Sequence, residues 1–227
     1  MTFGMRADRL GLAGSMGLTL LASLCFPGCM ESHHLVSYPP DTLTVPYEPA
    51  TSYSACLVAS VAMAANYLEN NHRFTASQIM ADVRAAKGEE SRIGDVQQYL
   101  AGKGLHLLAL AGKLNDEPEH GLGFWVKTKG YPAICIINRA GENPAFNHAV
   151  VVIGMQHGVD SAEIIQYLDP SADQPLYTSN RAAFDTTWSR SGHAMLVVVK
   201  PPAEGLSGSA HATADPAGVQ NAVRAGW

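Results

Sequence analysis

The sequence predicts an α+β domain, helices first and sheet second, on three observations. Leu57 to Leu68 is an apolar segment with no polar interruption before Asn66, as a helix packed on all sides requires. Four short β-rich runs, Ile134–Ile137, Ala149–Gly154, Ile164–Leu168 and Met195–Val199, are separated by Gly, Pro, Asn and Asp, the pattern of an antiparallel sheet. Their order, helices and then strands, argues for two segregated layers rather than alternating βαβ units.

The N-terminus reads as a targeting segment over residues 1–28. Arg6 and Arg9 precede an apolar stretch from Leu10 to Phe26, which Pro27 interrupts too early for a confident membrane span. The Gly28-Cys29 pair resembles the cleavage site of bacterial lipoproteins, in which the cysteine becomes the lipidated first residue. That resemblance implies a membrane partner through a lipid anchor on Cys29 and a place in the cell envelope. Secretion with cleavage elsewhere and an uncleaved anchor remain open alternatives. Residues 29–44 are polar and proline-bearing and read as a tether, and the adjacent pair His33-His34 completes no metal site.

The domain proper is assigned to residues 45–202. A helix is expected from Thr75, where Thr75-Ala76-Ser77-Gln78 fits a capping box and Ile79 and Val83 supply the apolar stripe. A further helix is expected over Asp95 to Ala101, a strand over Leu105 to Ala111, and helical structure over 117–129, closed by Gly130 and Pro132. Phe184 and Trp188 at i, i+4 predict a core-facing helical turn, and His157 and His193 read as surface or packing residues. Residues 203–227 consist mainly of Ala, Gly, Ser and Pro and read as a disordered tail.

Length, charge and cysteine count bound the function. A chain of 227 residues holds one domain of ordinary size plus tails, and a net charge of -5 without a basic cluster excludes a nucleic-acid partner. No glycine-rich phosphate loop and no paired Cys or His ligand spacing is present, so no nucleotide, cofactor or metal is expected. Of the four cysteines, cleavage before Cys29 discards Cys25, which leaves Cys56 and Cys135 beside the lipidated residue. Two cysteines permit one disulfide, and that reading stands against a catalytic one.

Cys56 opens the central helix, with Ser52 and Ser54 placed to cap it, so the sulfur is expected at the positive end of the helix dipole. That setting favours the thiolate, the nucleophilic form; a buried structural cysteine is the alternative. A cysteine nucleophile needs a base, and the base needs a group to fix its tautomer. Among the nine histidines His148 is best placed, at the mouth of the most apolar strand, and Asp169 ends the next strand within reach of it. Either residue taken singly fits a turn or capping role as well.

Together these features resemble a family. Cys56 heading an Ala-rich helix that ends Asn66-Tyr67-Leu68, then Gly130-Tyr131-Pro132 before an apolar strand, His148 before VVVIG, and Leu168-Asp169-Pro170 followed by Phe184 and Trp188 resemble the peptidase C39-like domains, bacterial cysteine peptidases of the papain-like clan. The resemblance covers about Val45 to Val199. It implies a papain-like fold, with a helical N-terminal lobe packed against an antiparallel sheet and a cleft between them. It also implies Cys56 as nucleophile, His148 as base, Asp169 as orienter and a peptide or protein as substrate. Two departures stand out. The family's oxyanion Gln, five or six residues before the cysteine, is missing from Glu48-Pro49-Ala50-Thr51-Ser52-Tyr53, which leaves the Thr51 and Ser52 hydroxyls as candidates; and Leu57 follows Cys56 where the family has Gly. An impaired peptide-binding domain and a papain-fold acyl or amide transferase are the alternatives these departures keep open.

Overall fold

The structure, a computed structural model, describes residues 36–140, 147–157 and 163–201. The targeting segment 1–28, Cys29 and the tail 203–227 lie outside the described residues.

Helices α1 (Cys56–Glu69), α2 (Ala76–Ala85) and α3 (Ile93–Gly102) precede strand β1 (His106–Ala111). Strands β2 (Ala133–Asn138), β3 (Asn147–His157), β4 (Glu163–Leu168) and β5 (Leu176–Asn180) follow, then α4 (Arg181–Ser189) and β6 (Ala194–Val199). The strands form one six-stranded antiparallel sheet in the order β1-β6-β2-β3-β4-β5. The predicted α+β class, helices first and an antiparallel sheet after them, is therefore the observed one.

The sheet separates two cores. One face, bearing Ile134, Ile136, Ala149, Val151 and Leu196, packs against α1, whose residues Cys56 to Asn66 are all buried. The other, bearing Cys135, Val150, Val152 and Val197, packs against Phe184 and Trp188 of α4 and against Trp125. This two-sided burial explains why the central strands read as continuous apolar runs rather than alternating ones. Trp188 sits so close to the chain that a Cβ on Gly112 would meet its ring at 2.5 Å.

Three expectations need correction, and one strand lies outside them. Residues 36–44 are not a free tether: Val36, Tyr38 and Leu43 pack on the core, and Leu43 N–H donates to Ile153 O at 2.9 Å. The segment is extended and docks by single side chains, so it carries no period. Helical structure over 117–129 shrinks to a π-helical turn at Phe124–Thr128, because Pro118, Gly121 and Gly123 interrupt the stretch before it. Strand β5 was not foreseen; it is the edge strand, and its polar, partly exposed sequence LYTSN carries no apolar signal. At α2, Thr75 Oγ1 accepts from Gln78 N–H at 3.2 Å, but the Gln78 side chain turns to Asp82, so only half the capping box forms.

Candidate active site

The site lies at one end of the sheet, where β2 and β4 end, β3 and β5 begin, and α1 starts. The chain enters α1 through a single 3-10 turn, Tyr53–Ala55. No side chain caps α1, whose N-cap is Ala55, and the Ser52 and Ser54 hydroxyls pair with each other at 3.2 Å. The expected serine cap is thus replaced by a backbone turn that delivers Cys56 directly to the helix start. Cys56 is fully buried, at 0% exposure.

His148, the second residue of β3, pairs with Ile137 of β2, so its backbone is fixed by the sheet. Its Nε2 meets Asp169 Oδ1 at 2.7 Å, with His148 8% and Asp169 2% exposed. Asp169 follows the last residue of β4 and closes the β4–β5 turn through its N–H to Pro175 O at 2.8 Å. Because Nε2 is committed to the carboxylate, Nδ1 is the nitrogen left for the thiol. Nδ1 is buried and has no hydrogen-bond partner among the described residues, and the Cys56 sulfur lies near enough to act electrostatically on the ring.

The electrostatics follow from these contacts. Burial alone would lower the His148 pKa, but the hydrogen bond to Asp169 and then the interaction with Cys56 outweigh it and raise it to about 9. Burial would likewise raise Asp169. The hydrogen bond and charge of His148, the Ser171 N–H at 2.9 Å and the Arg139 charge outweigh that effect and hold the carboxyl below its usual range. These contacts favour the protonated form of His148 beside the Cys56 sulfur, the setting that a cysteine nucleophile asks of its base.

Three residues with no sequence signal complete the site. Arg139 Nη1 reaches Asp169 Oδ2 at 3.0 Å, its Nη2 donates to Tyr167 Oη at 3.2 Å, and its guanidinium lies over the Tyr177 ring at 5.3 Å. It thus holds the carboxylate oxygen that His148 does not use. Tyr47 Oη lies 3.2 Å from Asp169 O, and Ala50 N–H donates to Pro170 O at 2.7 Å, so the strand of chain leading to Cys56 is tied to the turn after Asp169. Glu48 Oε1 accepts from Ala76 N–H at 2.7 Å, anchoring the same lead-in to the start of α2. The residues that stand where the family's Gln is absent thus serve as struts. Nothing in a lone Arg, Tyr or Glu marks such a role until the β4–β5 turn is placed against them.

A cleft of about 710 Å³ opens over this end of the sheet, lined among others by Tyr53, Arg139, His148, Asp169, Asp173 and Tyr177. Of the sequence-predicted residues, Cys56, His148 and Asp169 come together here. Thr51 and Ser52 lie exposed in the bend before the 3-10 turn. The alternative disulfide is excluded: Cys56 and Cys135 are both free, one in each core on opposite faces of the sheet. His193 proves to be a packing residue, paired to Asp185 at 2.9 Å with its ring against Trp188. Among the described residues no group of three or more His, Cys, Asp or Glu is arranged to hold a metal, and no helix is long and apolar enough to cross a membrane.

Comparison with known proteins places this geometry. A family model described as "Papain-like cysteine protease AvrRpt2" matches residues 40–188. The solved peptidase domain of Streptococcus ComA, a bi-functional ABC transporter involved in a quorum-sensing pathway, superposes with a TM-score of 0.50 at 13% identity, covering 68% of this chain and 97% of that one. The peptidase domain of Streptococcus mutans ComA matches with a TM-score of 0.39 at 13% identity, over 69% of this chain and 98% of that one. At such identity the ComA likeness speaks to the fold, which agrees with the C39-like resemblance of the sequence. No curated protein matches.

Proposed function

Because this chain belongs to the papain-like cysteine protease AvrRpt2 family, we propose that it is a cysteine peptidase cutting a peptide or protein through Cys56, His148 and Asp169. The observation that carries this reading is the 2.7 Å contact of His148 Nε2 with a buried, Arg-paired Asp169, which leaves Nδ1 for the Cys56 sulfur. The thiolate attacks the scissile carbonyl and a C–S bond forms. His148 Nδ1 gives its proton to the leaving nitrogen as the C–N bond breaks. Water then attacks the thioester carbon and passes a proton back to His148; the C–O bond forms, the C–S bond breaks, and the carboxylic acid leaves with the ion pair restored.

The oxyanion site is the unusual part. With no Gln before the cysteine, the Thr51 or Ser52 hydroxyl is the candidate donor, and the cost of one missing donor is about 100- to 1000-fold in rate. A second reading, a domain that binds peptides without cutting them, is favoured by that absence and by the full burial of Cys56. The targeting residues Arg6 and Arg9 and the Gly28-Cys29 pair support action in the cell envelope from a lipid anchor on Cys29.

The test is hydrolysis of a mixed peptide library, read by mass spectrometry, with the protein, its Cys56→Ala variant and an Ala50→Gln variant. Cleavage lost in Cys56→Ala supports the peptidase. No cleavage by the parent but a gain in Ala50→Gln supports the impaired binding domain. A parent and an Ala50→Gln variant that are both inert sink the hydrolytic reading.

A further inference from the structure

The cleft stops short of its nucleophile. Cys56 is 0% exposed and does not line the cleft, whereas His148 and Tyr53 do. Tyr53 is the one large apolar side chain among the described residues that stands mainly in solvent, at 56% exposure. Its ring lies nearly parallel to the His148 imidazole, at 20° with centroids 6.4 Å apart. Partial burial, and after it the neighbouring Cys56, raises the pKa of the Tyr53 hydroxyl. An exposed aromatic ring thus stands in the cleft beside the His148 ring, three residues before a buried sulfur.

Its mounting suits movement. Tyr53 begins the 3-10 turn that leads into α1; no side chain caps that turn, and Thr51, Ser52 and Ser54 around it are exposed. Cys56, three residues on, belongs to a helix buried on every side. The Tyr53 side chain can therefore change rotamer while the Cys56 backbone stays fixed in α1.

We propose that Tyr53 is the substrate-admitting cover of the site: its ring shields Cys56 in the free protein, and an incoming peptide takes its place against His148. The proposal rests on Cys56 being the nucleophile, and it adds a residue that decides which reagents and substrates reach it. Arrival of the scissile carbonyl at the sulfur requires the ring to leave the imidazole face, after which Tyr53 stands as a wall of the cleft beside the bound chain.

The experiment measures alkylation of Cys56 in the full chain by peptide mass spectrometry, using iodoacetamide and a bulky fluorescein iodoacetamide, in the parent and in Tyr53→Ala, Tyr53→Phe and His148→Ala. Cys135, buried mid-strand, reports unfolding if it becomes labelled. Tyr53→Ala is expected to label about five- to tenfold faster with iodoacetamide, the factor by which an ordinary aromatic stack holds a covered state, and with a larger gain for the bulky reagent. Tyr53→Phe, which keeps the ring, should match the parent. The Tyr53→Ala gain should also be the same at pH 6 and pH 8, since access rather than charge is altered. Equal rates in parent and Tyr53→Ala, or a gain that changes with pH, would overturn the cover. Parent labelling that does not depend on His148 would instead overturn the nucleophile reading beneath it, so the two failures are distinguishable.

Discussion

Cys56 and Cys135 are both free and both fully buried, yet only one is placed for chemistry. Cys135 sits in mid-strand between Ile134 and Ile136, on the sheet face shared with Trp188. Burial alone acts on it and pushes its thiol well above the ordinary range. Cys56 is just as far from solvent but opens a helix and adjoins the His148 ring that Asp169 holds in place. The difference is one of surroundings rather than of burial: burial alone acts on Cys135, whereas Cys56 adjoins a histidine ring that a buried carboxylate orients.

The sharpest way to break this contrast is at its centre. Cys56→Ala or His148→Ala should lower kcat/KM by about 10⁴-fold or more, since members of such a unit fail together, while the melting temperature stays near that of the parent. Asp169→Asn should lower it by less than either, because an Asn Oδ1 can still accept from Nε2–H while the charge that favours the protonated ring is gone. The pH profile adds a sign. His148 stays protonated up to about 9, so the rate should fall as pH rises through that value. Asp169→Asn removes the largest influence raising that pKa, so the alkaline limb should move down. The same shift contributes stability that is whole below the unfolded value of about 6.5 and lost as pH rises toward 9. A limb that stays put in Asp169→Asn would mean that the carboxylate is not what charges the ring.

On the Cys135 side the expected losses are structural. Trp188→Ala removes a fully buried ring whose Nε1–H donates to Ala194 O at 2.9 Å, and should cost about 3–5 kcal/mol in chemical denaturation. Arg139→Met should reduce kcat/KM by about tenfold, as a charge-assisted contact on a half-exposed residue is worth less than the dyad itself. An unchanged rate would remove Arg139 from the machinery. Smallest of all, Cys135→Ala should cost about 1 kcal/mol of stability and leave kcat/KM unchanged. A large loss of activity there would erase the distinction between the two cysteines.

Much of this was legible along the chain because its signals are local. An apolar run without a polar stripe made α1 a buried helix, and continuous Val and Ile made β2, β3 and β6 central strands. The i, i+4 pair Phe184 and Trp188 placed α4 on the core. Cys56, His148 and Asp169 could be singled out because each stands at the end of such an element. Edge strand β5 and the lead-in from Val36 escaped, since each is held by partners on one side and leaves a polar or aperiodic sequence.

The sequence by itself determined which elements form and what stands at their ends, for hydrophobic period and turn residues act over a few positions. Only the tertiary structure decided what those ends meet. The pairing of β3 with both β2 and β4 brings Arg139 and Asp169, 30 positions apart in sequence, into contact, and the sheet keeps Cys135 from Cys56 on its other face. Charge and hydrogen bonding act through space, and the local pattern of residues around Arg139, Tyr47 or Tyr53 records nothing of the carboxylate, carbonyl or imidazole that each of them reaches.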